Sequence, residues 1–569
     1  MASAGGQTAP VDPHGPADLA FVNGVVHTVD RTDTRAQAVA VRGGRIVAVG
    51  SNDRIREASG PATEAIDLAG RTLLPGFQDA HIHPGGGGLD RLRCDLSQVH
   101  SKERYVELIR AYADASPDEP WILGGGWAMD VFPGGTPDRA TLDAVVPDRP
   151  VFLSNRDNHA AWVNGAAMQL AGIDASTPDP VDGRIQRDAS GEPQGTLHEG
   201  SMTLVKRHVP PTEPADVERG LLVAQEYLHS LGITAWQDAI VGDYPTMPNV
   251  RDVYPALAAR GSLTARVVGA LWWDRTRGLE QIEGLIHSRQ RTSGGRYRAT
   301  TVKIMQDGVI ENLTACMLDP YLDPAGTTDT RGLAYVDPSE LPRYVTRLDA
   351  EDFQVHVHAI GDKAVRDALD AFQAARVANG VRDNRHHIAH LQVVHPDDMA
   401  RFGALGVTAS GQPLWASNDP AMTDLTLPVI GPERGTWQYP FGGLLRAGAT
   451  LAFGSDWPVS SPDVMQEIHV AVNRTTPPGF VYAGGGELEK EPFLPEHRIT
   501  LVQAIRAFTM GSAFVNHLDD RTGSIEVGKL ADLVVLSQDL FGLDPADITQ
   551  AKVDMTFVDG HAVYERAGS

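Results

Sequence analysis

The sequence predicts an α/β fold: a (β/α)8 barrel joined to a composite β-sandwich that both chain ends build. Three observations predict it. Short apolar strands punctuated by Gly-containing turns occupy both ends of the chain. Between about residues 76 and 499, short apolar strands alternate with longer helical patterns, the signature of a parallel sheet. Histidines, a lysine and an aspartate recur at the ends of several of those strands, where barrels of this kind carry their active sites. At 569 residues the chain has room for a large barrel and a smaller domain.

Residues 1–17 are small, polar and Pro/Gly-rich, and read as a disordered lead-in without the basic and apolar regions of a signal peptide. Residues 18–75 follow as strand and turn. Asn23-Gly24 and Gly43-Gly44 read as hairpin turns between apolar runs, and Gly70 separates two further strands. Residues 500–569 answer them. "GSIEVGKLADLVVLSQDL" is a turn and then an apolar strand, Ala531 to Leu536, and "VDMTFVDGHAVYE" is a hairpin turning at Asp559-Gly560. The two ends then form one sandwich with residues 76–499 inserted between them.

In the central region the candidate strands are "WILGGGW", "PVFLSN", "ITAWQDA", "ARVVGALWW", "TTVKIMQD", "FQVHVHA", "HHIAHLQVV", "VTASGQP" and "TLAFGSDWPV". Candidate helices include "SKERYVELIRAYADA", "PADVERGLLVAQEYLHSLG" and "GDKAVRDALDAFQAARVANG". The last places Val365, Ala368, Leu369 and Phe372 on one stripe and stops at Asn379-Gly380. About eight such units suit a closed barrel better than an open sheet. Residues 85–214 are too long for one β-α connection, show few clear elements, and read as a cap-like insert over the barrel.

The formal net charge is -24, with the acidic residues scattered. That favours solubility and argues against a nucleic-acid or anionic-membrane partner. No run approaches the roughly 18 apolar residues of a membrane span. Two cysteines, Cys94 and Cys316, are too few for a disulfide scaffold and form no CxxC. Cys94 is a candidate nucleophile, with a buried, inert thiol as the plainer reading. A reducing cytoplasm is the default compartment.

Strand periodicity puts His81 and His83 of "LLPGFQDAHIHP" on one side of their strand. Lys303 lies in "TTVKIMQDG", His358 ends "FQVHVHA" two residues after His356, His390 lies in "HHIAHLQ", and Asp456 ends "TLAFGSD". Any one of these alone reads as a satisfied core or turn residue. Together, in barrel order at strand ends, they read as a site for a divalent first-row metal, with zinc the commonest choice.

The stretches "LLPGFQDAHIHP", "SNRDNHAAWVNGAAMQLAGID", "GEPQGTLHE", "VHVHAIGDKAV", "LGVTASGQP", "FGSDWPV" and "GSIEVGKLADLVVL" carry a family resemblance over nearly the whole chain. The sequence resembles the amidohydrolase superfamily and, within it, the YtcJ-like branch that includes N-substituted formamide deformylase. The resemblance implies a metal-dependent hydrolase on a TIM barrel. His81, His83, His358 and His390 match its metal ligands. Asp456 matches the strand-8 aspartate that contacts the metal and shuttles protons. Lys303 matches the position where superfamily members often carry a bridging lysine carbamate; with that carboxylated lysine a two-metal site follows, and without it one ion suffices. One departure stands out: Ala389 precedes His390 where the branch usually has Glu, which bears on the support behind His390.

The implied reaction is hydrolysis of a C–N bond in a small amide-like substrate, an N-acyl or N-formyl amide, with Asp456 as the catalytic proton carrier. Asp157, His159 and Glu199 match family motifs in the insert and are candidate substrate contacts. Gln412, Trp415 and Trp457 follow barrel strands and are candidates for the pocket wall, although packing alone accounts for the tryptophans equally well. Trp127 closes "GGGW", whose glycines let backbone approach a ligand or simply make a turn. A superfamily hydrolase of a cyclic amide, carbamate or ester would use the same metal shell. A non-catalytic binding protein on the same scaffold is a further alternative, and it would show broken ligands where this chain has every position filled. A homodimer is expected only on the base rate for large enzymes.

Overall fold

The computed structural model describes residues 15–244, 247–322 and 329–568. The expected lead-in lies outside the described residues as far as residue 14.

Eight parallel strands run in sequence order: β1 (Phe77–Ile82), β2 (Ile233–Val241), β3 (Arg266–Trp272), β4 (Tyr297–Met305), β5 (Gln354–Ala359), β6 (His387–His390), β7 (Thr408–Gly411) and β8 (Leu451–Phe453). Nearly every residue of these strands is buried, as expected for parallel strands covered on both faces, which is why they read as apolar runs. Helices fill the connections; Asp362–Asn379, for example, buries Val365, Ala368, Leu369 and Phe372 and stops at Gly380, whose φ is 80°. Register sets the site: Lys303 pairs with His356, Met305 with His358, and Ala359 with His390. At the seam, Asp456 N donates to His81 O at 2.7 Å and His83 N donates to Trp457 O at 2.8 Å. A Cβ at Gly454 would lie 2.4 Å from His81 N, so only glycine lets β8 lead into this seam.

The insert between β1 and β2 is more ordered than its composition suggests. It holds its own six-stranded sheet, and this sheet claims "WILGGGW" (Ile122–Trp127) and "PVFLSN" (Val151–Asn155), which pair with each other in parallel. Neither belongs to the barrel, because an apolar run identifies a strand and not the sheet it joins. The helix Lys102–Ala115 also belongs to the insert and buries Tyr105 and Ile109 in the insert's own core.

At the chain ends, Ala17–Val22, Ala38–Arg42, Arg45–Gly50 and Ser59–Asp67 form a four-stranded sheet. A six-stranded sheet joins Val25–His27, Arg35–Ala36 and Thr72–Pro75 to Leu533–Leu536, Val553–Val558 and His561–Glu565. Leu19, Phe21 and Val39 of the first sheet share one apolar cluster with Leu73, Leu533 and Phe557 of the second. Gly43-Gly44 and Asp559-Gly560 close hairpins. Asn23-Gly24 does not: Ala17–Val22 and Val25–His27 lie in different sheets, so the turn carries the chain from one to the other. Gly70 marks a second such crossing. A turn residue fixes a local change of direction and leaves the strand's partner open.

The boundary expected at 499/500 also moves. Leu501–Arg506 and Ser512–Val515 cover the barrel, where Ser512 Oγ donates to Phe453 O at 2.9 Å and Val515 packs on Ala80 and Ala452. The end sheet resumes only at Leu533. Arg266 of β3 ties it to the barrel through Asp532 at 2.7 Å and through Asp559. Among the described residues, no helix is long and apolar enough to cross a membrane.

Candidate metal centre

One cavity opens over the C-terminal ends of the barrel strands, and His81, His83, Lys303, His358, His390 and Asp456 all line it. β1 supplies His81, the residue just past its end His83, β4 the lysine, β5 and β6 the next histidines, and the loop after β8 the aspartate. Asp456 is the hub. Its Oδ1 lies 3.2 Å from His81 Nε2 and 3.0 Å from His83 Nε2, and its Oδ2 lies 3.8 Å from His390 Nδ1. The His81 and His390 rings are 4.7 Å apart, and the His358 and His390 rings 4.4 Å. Lys303 Nζ sits 3.5 Å from His81 Nε2.

Two of these residues hold strained backbone. His390 has φ 77° and Asp456 has φ 56°. Neither is glycine, and such conformations cost about 1–3 kcal/mol each and cluster at functional sites.

Burial sets the electrostatics. It drives His81, His358 and His390 well below the usual histidine range, with the charge of Lys303 adding to the effect, so these rings are neutral and offer lone pairs. Burial also lowers Lys303 to about 7. Burial pushes Asp456 up, but the His83 ring beside it, through a hydrogen bond above all, outweighs burial and holds the carboxyl below its ordinary range. Both nitrogens of His390 are buried without a hydrogen-bond partner. Ligand atoms of His81, His390 and Asp456 lie within 4.8 Å of one another. This cluster of nitrogen and oxygen donors, with His390 unpartnered within it, fits a divalent cation.

Several supporting residues carry no signal in the local sequence. Asp307 Oδ1 lies 3.1 Å from His358 Nδ1 while its carboxylate accepts from the amides of Cys316, Ile360 and Gly361. Asp79 accepts from Ser455 and from His81 N. His356 Nε2 lies 2.8 Å from His81 Nδ1. His356 and Asp79 stand two residues from a ligand, which is the one hint available for them. Among the described residues no hydrogen-bond partner stands behind His390, and Ala389 beside it is fully buried.

Among the other candidates, Asp157, His159 and Trp415 line the cavity. The Trp415 ring stacks on His390 at 5.7 Å. His159 Nδ1 meets both oxygens of Glu199, at 3.0 and 2.9 Å, so Glu199 stands behind His159. Burial works against a charged His159, yet the Glu199 carboxylate more than compensates and raises the ring to about 9.

Three candidates are elsewhere. Trp127 is fully buried in the insert, edge-on to Trp162 and Phe132, with Nε1 donating to Leu153 O at 2.9 Å; its glycines serve the insert's sheet. Trp457 packs on Tyr227, 5.5 Å between rings, and does not line the cavity. Gln412 is fully buried, and its side-chain amide has no hydrogen-bond partner. Following a strand end in sequence does not turn a side chain toward the mouth. Cys94 is buried and its thiol is pushed up to about 12, chiefly by burial, which makes it a poor nucleophile.

A family model described as "Amidohydrolase family" matches residues 64–564. "Protein LONG AFTER FAR-RED 3" of Arabidopsis thaliana is 33% identical over 561 residues, covering 96% of this chain and 92% of that protein. "Putative amidohydrolase YtcJ" of Bacillus subtilis (strain 168) is 31% identical and covers 96% and 99%. "N-substituted formamide deformylase" of Arthrobacter pascens is 28% identical and covers 97% and 99%. Among solved structures, an uncharacterized metal-dependent hydrolase from Pyrococcus furiosus superposes with a TM-score of 0.67 at 27% identity, over 93% of this chain and 99% of that one.

Proposed function

This chain belongs to the amidohydrolase family and is a metal-dependent hydrolase; from that premise we propose that it cleaves the C–N bond of a small amide-like substrate, an N-formyl or N-acyl amide. The observation that carries the reading is Asp456, whose carboxylate is held ionised among His81, His83 and His390 in the cavity over the barrel. A relative of nearly equal length that is named as an N-substituted formamide deformylase supports the substrate class.

His81, His83, His358, His390 and Asp456 would hold the metal, with zinc as the reading. When bound, a divalent ion supplies Lewis-acid polarisation of a carbonyl and acidifies water. Asp456 takes the proton from the attacking water and returns it to the leaving nitrogen. His159, kept cationic by Glu199, faces negative charge as it develops on the carbonyl oxygen. Asp157 and Trp415 frame the substrate. Lys303, with part of its population uncharged near neutral pH, can add through Nζ to CO2 and lose a proton, giving a carbamate that would add oxygen donors for a second ion. We also read the two end sheets as one composite β-sandwich, which their shared apolar cluster supports. The two free cysteines support a reducing compartment such as the cytoplasm.

The test is metal analysis of the purified protein beside a panel of N-formyl amides, N-acyl amides, cyclic amides, carbamates and esters. Stoichiometric divalent metal and the highest kcat/KM on an N-formyl or N-acyl amide are expected. A clear preference for a cyclic amide, carbamate or ester overturns the substrate class, and protein that is active without metal overturns the centre.

A further inference from the structure

The hydrogen bonds beneath His81 have a direction, and that direction is set at the far end of the barrel. It begins at the main-chain carbonyls of Arg385 and Val515, which can only accept. Gln354 Nε2 lies 2.8 Å from the first and 2.7 Å from the second. These two contacts orient the Gln354 amide and leave its Oε1 as an acceptor. Oε1 takes the Thr301 hydroxyl at 2.7 Å and Gln237 Nε2 at 3.0 Å. Gln237 Nε2 also donates to Asn516 Oδ1 at 3.0 Å. The Gln237 amide is therefore oriented in turn, with its Oε1 2.6 Å from His356 Nδ1.

An amide oxygen cannot donate, so His356 Nδ1 carries the proton. His356 is fully buried, and its two hydrogen-bond partners are an amide and an imidazole, with no counter-ion between them. An isolated charge there is heavily penalised, so the ring is neutral and its Nε2 holds a lone pair. That lone pair lies 2.8 Å from His81 Nδ1, which must donate. His81 is then left with its own lone pair on Nε2, the atom 3.2 Å from Asp456 Oδ1.

We propose that His356 and Gln237 are positioning residues that lock His81 in its Nδ1–H tautomer, aiming Nε2 at the metal centre. The inference rests on the reading of His81 as a metal ligand. The device differs from the one behind His358, where the carboxylate of Asp307 does the same task. A carboxylate also adds negative charge and raises ligand basicity. The chain of amides and imidazole under His81 fixes the tautomer and adds no charge.

The decisive measurement needs no variant in the chain itself: 15N spectra of the metal-stripped, histidine-labelled protein, with the His81 signals assigned by their loss in His81→Gln. A protonated, pyrrole-like Nδ1 and an unprotonated, pyridine-like Nε2 are expected. Gln237→Met, which keeps length and removes all three hydrogen bonds of that side chain, is expected to blur this signature and raise the metal dissociation constant about 10–100-fold. An Nε2–H tautomer in the unmutated protein overturns the inference, as does Gln237→Met with unchanged spectrum and metal affinity. Failure of the underlying reading looks different: His81→Ala would then keep its full metal content.

Discussion

Asp79 Oδ2 accepts the Ser455 hydroxyl at 2.6 Å, and this bond fastens the first barrel strand to the loop that carries Asp456. The same carboxylate accepts from Ser455 N at 3.1 Å and from His81 N at 3.0 Å. One side chain thus fixes the backbone beside two proposed ligands that are 375 residues apart in the chain. Asp79→Ala would leave three buried donors without an acceptor, each costing about 1–3 kcal/mol. It would also free Asp456 to shift, and displacements near 1 Å cost about 10²-fold in rate. A lowered Tm and a fall in kcat of at least that order are expected, with Asp79→Asn milder in both. Thermal denaturation and steady-state kinetics on the metal-loaded variants check this, and an Asp79→Ala enzyme with wild-type kcat refutes it.

Asp456→Asn separates proton transfer from metal retention. The amide keeps the shape and one oxygen of the carboxylate but cannot accept and return a proton. Turnover is expected to fall by about 10²–10⁴-fold, while His81, His83, His358 and His390 keep most of the metal. Metal content by elemental analysis and kcat on the best amide substrate are the two readings. Near-wild-type turnover would remove Asp456 from its role.

The barrel and the candidate ligands were legible because doubly buried strands read as apolar runs, against which His81, His358 and His390 stand out. What surrounds them was not. Asp79, Gln237 and Asp307 each act on a partner that only the folded barrel brings near: Asp79 meets Ser455, and Gln237 meets Asn516, 279 residues away. Local pattern holds no record of such a pairing. Asn23-Gly24 announced a turn correctly and its strand partners incorrectly, because pairing is decided by the apolar cluster the two end sheets share. Trp127 misled for the same reason, since its glycine-rich strand looked like a barrel strand and instead completes the insert.

Acid should weaken the junction between the barrel and the C-terminal sheet. His229 lies there, with Nδ1 donating to Ile233 O at 2.9 Å, Nε2 2.7 Å from the Thr264 hydroxyl, and its own carbonyl accepting from Thr556. Burial lowers its pKa to about 4 from an unfolded value near 6.5. The unfolded chain therefore binds the proton first as pH falls. Stability from this residue is full above pH 6.5 and declines between 6.5 and 4, by on the order of 1 kcal/mol at pH 5.5. Denaturant titrations at pH 7.5 and 5.5 measure the fall, and His229→Gln is expected to shrink it. An equal fall in both proteins would assign the acid sensitivity elsewhere.

The His159–Glu199 pair sets the opposite limb. His159 is buried at the cavity wall, and burial alone would keep it neutral, but Glu199 raises it to about 9. A histidine raised in this way is cationic below its folded pKa and loses its charge above it. Its contribution to stability is likewise full below the unfolded value near 6.5 and lost as pH rises through 9. If His159 faces the developing oxyanion, kcat/KM should decline above about pH 9. In Glu199→Gln the counter-charge is gone, burial prevails, and the decline should begin near neutral pH or below. Glu199→Asp keeps the charge at a longer reach and should fall between the two. The pH profiles of kcat/KM for the three proteins, measured with metal saturating, decide the matter: an alkaline limb that does not move in Glu199→Gln removes His159 from the reaction and leaves the pair a purely structural clasp between the insert's strands.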